Sequence, residues 1–468
     1  MGKYNKVTAG ILEELKGIVG AENITVDEKK LKDYSHDEVM DPHYIYMPEV
    51  VVFPETAEQI AQVVKLANRE LIPLVPRGAG TGLSCGATPI YGGIVLTTDK
   101  LNKIIKVDAD NLYIEAEAGV LTGDVQKAAN DVGLYYPGDP CSGDSCFIGG
   151  NVATNAGGNK AVKYGTTRHQ VYSMEVVTPT GEITVLGGRL AKCSTGYALE
   201  QLVIGSEGTL GIITKVTLKL APQPPSVVDL LAIFPDIDSA IAAVTKVIKA
   251  GVKPTCVEFM DGRAIRCVEV YLKEKLPHSE DGNYLIIQVE AENDEELDDK
   301  AAKIDELCTE NNAIEVLMPE SEKIWKIRKS VAEAFRHESL VQSNEDAVVP
   351  LDQLPSAMKA MVGICEKHDA VARVVSHAGD GNIHLCIMPG TISAEQWEEK
   401  LAAIQDEIYA VIYPLGGRLS GEHGIGYKKK HLLGKYTDPV ELDMMRAIKK
   451  ALDPNLILNP GKLFDVQQ

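Results

Sequence analysis

From residue 46 to 221, short apolar runs alternate with helical patterns and Gly-rich loops. VVVFPETAEQIAQVVKLANRELIPLVPRG predicts a strand at 50–53, a helix at 57–68 and a strand at 72–75. Thr56 or Glu55 stands where a helix start belongs, and Pro73 and Pro76 punctuate the second strand. Residues 1–45 carry apolar positions at helical spacing and predict a helical arm. APQPPSV, residues 221–227, predicts a linker, because Pro222, Pro224 and Pro225 oppose any regular element. Beyond it, VVDLLAIF, TCVEFM and NYLIIQVEA predict strands, and DSAIAAVTKVIKAG and DEELDDKAAKIDELCTEN predict helices. That order predicts an α+β domain with an antiparallel sheet. The expected organisation is therefore an arm (1–45), a first domain (46–221), a second domain (222–415) and a C-terminal segment (416–468) that returns to the first.

Charge and composition narrow the class. The 468 residues carry 47 Lys and Arg against 67 Asp and Glu, a net charge of −20. Such a chain is repelled by phosphate backbones, which argues against nucleic acid as a partner. No run of 18 apolar residues occurs, so no membrane span is expected, and the N-terminus lacks the apolar core of a signal peptide. The nine cysteines are scattered without any C-x-x-C, which predicts a cytoplasmic protein with no iron–sulfur cluster of its own.

SHAGDGNIH, residues 376–384, places two histidines seven residues apart. With Asp380-Gly381 as a type I′ turn, 377 would oppose 384, and the two Cβ atoms would stand roughly 5 Å apart on one face. Two such rings can share a divalent cation, or can simply be hydrogen-bonded. GEHGIG, residues 421–426, offers Glu422 and His423 in a glycine-flanked loop.

PRGAGTGLSCGA, residues 76–87, follows a predicted strand with Gly78, Gly80 and Gly82 alternating. Its amides can line an anion pocket, but its spacing is not the G-x-G-x-x-G of nicotinamide enzymes. The long segment 137–171, rich in Gly and Asn, suits a backbone wrapped around an extended ligand. GSEGTLGIITKVTLKL (205–220) and LNPGK (458–462) complete the set.

PRGAGTGLS, the 137–171 segment, GSEGTLGIIT, HAGDGNIH, GEHGIG and LNPGK, in that order, resemble the FAD-linked D-2-hydroxyacid dehydrogenases. This is the D-lactate dehydrogenase and glycolate oxidase large-subunit family of the vanillyl-alcohol oxidase type. The resemblance implies a two-subdomain FAD-binding domain plus an α+β cap domain with an antiparallel sheet. It implies that Arg77, Gly78, Ala79, Gly80, Thr81, Gly82, Leu83 and Ser84 cradle the FAD pyrophosphate. Pro137, Gly138, Asp139, Gly143, Gly149, Asn151, Thr154, Asn155 and Gly158 would wall the pyrophosphate and isoalloxazine. Gly165, Glu207, Gly211 and Ile212 would contact the adenosine side, and Asn459 would lie near the flavin ring. No histidine lies between 76 and 87, so FAD is expected to be non-covalent.

The same resemblance implies that His377, His384 and Glu422 hold one divalent metal (Zn, Mn or Fe), with His423 as catalytic base. Arg328 would hold the substrate carboxylate, with Arg336 and Lys326 as alternatives. Asn344, Glu345 and Asp346 supply no cation for a second carboxylate, which favours D-lactate over glycolate and D-2-hydroxyglutarate. Electrons are expected to pass to a separate soluble protein, an electron-transfer flavoprotein first. Two other readings remain open: FAD-dependent alkyl transfer of the ether-lipid synthase type, and a metal-dependent hydrolase or binding protein without flavin.

Overall fold

A computed structural model describes residues 4–39 and 41–466. The chain divides into two compact units. One runs to Ala156, resumes over Thr166–Gln223 and returns from Glu422 onward; the other comprises Gly157–Gly165 and Pro224–Gly421.

The first unit contains two main sheets. In the smaller, Val50–Val52, Ile94–Thr97 and Leu74–Arg77 run parallel, and Ile24–Thr25 pairs antiparallel with Val51 and Val52. The N-terminal stretch thus contributes a strand as well as the helix Ala9–Val19, whose Leu15 joins Ile60, Val64, Leu74 and Ile94 in one core. Thr56 caps the helix Ala57–Glu70, accepting from the amide of Gln59. The strand expected at 72–75 begins at Leu74 instead, because the amide of Ile72 still bonds the helix carbonyl of Ala67. The larger sheet has five antiparallel strands, with Ile212–Lys219 between Tyr113–Glu117 and Val171–Val177. Its inner face packs on the helix Ile148–Thr154, which gives part of the 137–171 segment a regular form rather than a continuous loop. The expected linker is also more ordered than its prolines suggest. Ala221 and Pro222 bridge to Tyr135 and Leu134, in an edge position that proline tolerates.

The second unit is built on a seven-stranded antiparallel sheet. Its spatial order is Glu315–Leu317, Ser226–Phe234, Asn283–Ala291, Cys256–Met260, Val371–His377, Asn382–Met388 and Ser343–Val348. Side chains alternate between faces. One face gives Leu231, Ile233, Met260, Ile286, Val375 and Cys386 to a core with Ile324, Ile327, Val331 and Phe335 from the helices Ser321–Lys329 and Val331–Glu338.

The histidine hairpin forms between the strands the sequence predicts, but its turn differs. His377 pairs with Asn382, and His384 pairs with Val375, so the register is displaced by two residues from a 377–384 pairing. Residues 378–381 form a four-residue loop in which Gly381 has φ +84° and Asp380 is not left-handed, which excludes type I′. Neighbouring chain selects this loop: the amide of Gly379 bonds Val257 O, and Gly381 O accepts from the amide of Val349. A displacement of two residues leaves every side chain on its expected face, so both histidines still share one.

A Cβ at Gly381 would stand 2.1 Å from Val349 O. Gly381→Ala is therefore expected to lower stability by about 2–3 kcal/mol in guanidinium unfolding. Gly363→Ala, inside the helix Leu354–Lys367 with nothing within 4 Å, should raise it by about 0.5–1 kcal/mol.

Candidate functional site

In the second unit, a polar row interrupts the apolar face of the sheet. Glu258 stands directly across from His377, and Asp346 directly across from His384. Glu258 and Asp346 are fully buried, and His377 is 3% exposed. The rings of His377 and His384 lie 5.0 Å apart and nearly perpendicular. Their candidate ligand atoms come within 4.8 Å of one another. Oε1 of Glu258 is 2.6 Å from Nδ1 of His377. Oε2 accepts from Nε of Arg328 at 2.8 Å and lies 2.8 Å from its Nη2. Arg328 reaches the row from the helix Ser321–Lys329, whose Ile324 and Ile327 anchor in the core beneath. Burial by itself would raise the Glu258 carboxyl, but His377 and Arg328 outweigh it and hold the carboxyl below its usual range. Asp346 accepts from Asn382 at 2.8 Å and from the Ser420 hydroxyl at 2.5 Å, and its Oδ1 is 3.4 Å from Nδ1 of His384. Arg336 pairs on the surface with Glu333, and Lys326 is exposed, so Arg328 alone of the three cations is buried.

In the first unit, the chain around His423 is clamped. Glu207, buried and at φ +52°, accepts from the amides of Ile425 and Gly426, both at 2.7 Å. Burial raises its carboxyl above the usual range against these two donors. The Ser84 hydroxyl lies 2.8 and 2.9 Å from the carbonyls of His423 and Gly424. Position 426 requires glycine: φ is +53°, and a Cβ would stand 1.9 Å from Ser84 O. His423 Nε2 is 3.8 Å from Glu422 Oε1, and both side chains are partly exposed. Asn459 Nδ2 joins the same knot, donating to Gly86 O and Glu207 O. Lys462 donates to Thr88 O, and burial pulls its ammonium down to about 7.

The cofactor-loop residues divide by what their side chains touch. The Arg77 guanidinium donates to the carbonyls of His36 and Asp33 and lies over the Tyr34 ring. It fills the underside of the loop, since a Cβ at Gly80 would meet its Nη2 at 2.2 Å. Asn151 donates to Thr122, which ties the segment to a neighbouring helix; Thr154 donates to Gly150 O, and Asn155 accepts from Thr166 and the amide of Arg168 within the segment itself. Gly158 and Gly165 flank the short helix Ala161–Tyr164 and belong to the second unit. Glu207, expected beside the adenosine, directs its carboxylate to the His423 loop. Among the described residues, Asn459 Oδ1 and Ser206 Oγ are two of the buried polar atoms without a hydrogen-bond partner in the protein.

Sequence reasoning did not single out Glu258. Its signal was present: a lone acidic residue inside the apolar strand CVEFM, where an unpaired charge is not tolerated.

Comparison with known proteins identifies the family. Residues 48–187 match the FAD binding domain family, and residues 223–463 match the FAD linked oxidases, C-terminal domain. A D-lactate dehydrogenase of Anaerostipes hadrus is 37% identical, covering 98% of each chain. The glycolate oxidase subunit GlcD of Bacillus subtilis (strain 168) is 36% identical, covering 98% of this chain and 97% of that one. The structure of p-cresol methylhydroxylase superposes with a TM-score of 0.81 at 19% identity, covering 99% of each chain. The fold and its loops define an FAD-binding oxidoreductase of the vanillyl-alcohol oxidase type. Within that class, the chain belongs to the FAD-linked D-2-hydroxyacid dehydrogenase family.

Removing the Glu207 carboxylate strands two amides, that of Gly426 buried and that of Ile425 partly buried. Glu207→Ala is expected to lose about 2–4 kcal/mol in guanidinium unfolding. Glu207→Gln, whose oxygen still accepts from one amide, should lose less.

Proposed function

We propose that this enzyme oxidises D-lactate to the 2-oxo acid with dissociable FAD and one divalent cation, in the cytoplasm. The observation that carries the metal is the His377–His384 pair, in which a buried carboxylate occupies Nδ1 of His377 and leaves Nε2 as the ligand atom. Glu422 follows Gly421 directly in the chain, and the amide of Gly421 is tied to Asp346 O, one residue across from His384. This supports Glu422 as the third ligand. Two imidazoles and a carboxylate suit Zn²⁺, Mn²⁺ or Fe²⁺ and leave coordination positions for substrate.

When bound, FAD supplies the hydride acceptor, and the cation makes the 2-hydroxyl of the substrate more acidic. The chain's own residues do the rest. His423 receives the hydroxyl proton on its imidazole, a base suited to neutral pH. Arg328 binds the carboxylate and so orients the α-hydrogen. The Glu207 and Ser84 contacts hold the backbone that carries His423. In the second unit, the carboxylates facing the histidines are buried with partners of their own, and no further cation is supplied by Asn344, Glu345 or Asp346. This favours a monocarboxylate over D-2-hydroxyglutarate, with glycolate next. The electrons then leave to a separate soluble redox protein, an electron-transfer flavoprotein by preference.

An anaerobic absorbance spectrum tests the reading. The flavin band should bleach with D-lactate and not with L-lactate. Chelation of the metal should slow the bleaching by on the order of 100-fold or more, since metal polarisation of an oxygen contributes several kcal/mol. A flavin band untouched by D-lactate but bleached by D-2-hydroxyglutarate would overturn the substrate. Bleaching that survives complete metal removal would overturn the metal. With substrate present, an added electron-transfer flavoprotein should be reduced faster than oxygen forms peroxide; the reverse order would mark an oxidase.

A further inference from the structure

Glu258 occupies an unusual position for a carboxylate. It sits in the middle of the strand Cys256–Met260, every residue of which is buried, and has no exposed surface of its own. Its two oxygens are divided between two different groups: Oε1 to Nδ1 of His377, and Oε2 to Nε and Nη2 of Arg328. A buried ion pair is commonly no more stabilising than apolar residues of the same volume. The surrounding face is already an apolar core of Met260, Ile265, Ile286, Ile327 and Val375, into which a leucine would pack. Packing therefore gives no reason for a carboxylate here, and its geometry does.

We infer that Glu258 is the positioning residue that fixes the metal-ligating histidine and the substrate-binding arginine together. This rests on the metal reading given above. An ionised carboxylate is an acceptor only, so His377 carries a proton on Nδ1, and in the neutral ring the lone pair is on Nε2. The direct cross-strand pairing of Glu258 with His377 fixes the height of the ring on the sheet. The second oxygen fixes the plane of the Arg328 guanidinium from the opposite side. One rigid group therefore sets the distance between the imidazole that would hold the cation and the guanidinium that would hold the substrate carboxylate.

Glu258→Gln discriminates this role from a packing role, because it keeps the shape. A glutamine cannot accept on both sides. If its NH₂ faces His377, the ring must shift its proton to Nε2 and lose the ligand lone pair. If its NH₂ faces Arg328, two donors meet. Titration of the FAD-loaded protein with Mn²⁺, followed by calorimetry, should give a dissociation constant 10- to 100-fold weaker for the variant than for the wild type. The KM for D-lactate should rise as well. Equal Mn²⁺ affinity in wild type and variant would overturn the inference and leave the metal reading standing. No Mn²⁺ binding by the wild type would overturn both.

Because the variant also removes the counter-charge of a buried arginine, the wild type carries an independent test. In the metal-free, FAD-loaded protein labelled with ¹⁵N-histidine, the His377 signal, assigned by its loss in His377→Gln, should show the proton on Nδ1. A neutral ring with its proton on Nε2 would overturn the inference even if Glu258→Gln did not fold.

Discussion

A carboxylate removed from water must be matched group for group, and that constraint shapes the second unit. Glu258 has no solvent to satisfy it. Its ionised form persists only because His377 and Arg328 meet its two oxygens at hydrogen-bonding distance. Each partner must in turn be delivered there. The antiparallel register delivers His377, and the helix Ser321–Lys329, held by Ile324 and Ile327, delivers Arg328. The apolar face of the sheet is thus what makes the polar row rigid. The low dielectric around it strengthens every contact the row makes.

The first unit solves a similar problem with backbone rather than side chains. Gly80 and Gly426 lie where no side chain fits, and the loop bearing His423 is tied down by a buried glutamate and a serine hydroxyl. Glu207 satisfies two amides that would otherwise be unpaired, and it does so from a left-handed backbone position. Asn459 closes the knot from the C-terminal segment, and leaves its Oδ1 without a protein partner. Several residues expected from sequence beside a cofactor have side chains that also bond within the first unit. Arg77, Asn151 and Asn155 are examples.

Much of the fold was legible in the residue pattern. The strands and helices after the prolines appear where alternation and helical spacing put them, because those patterns report which face meets a core. The departures are local. The hairpin turn is not type I′, since contacts to Val257 and Val349 override the preference of Asp-Gly for that turn. The helix Ile148–Thr154 lies within a stretch whose glycines suggest a loop; Gly149 is there because a Cβ would strike Ala118 at 2.5 Å.

By itself, the sequence determined the family, the glycine loops and the shared face of His377 and His384. Each of these depends on residues close together in the chain, or on an even spacing that survives a shift of register by two. The tertiary structure alone decided that Glu258 joins Arg328 to His377, and that Glu207 holds the His423 loop. The partners in these contacts lie 70, 119 and about 218 residues apart. No local pattern encodes such a meeting. It arises when packed elements bring buried charges and unpaired amides to the same place and leave them only one another to bond.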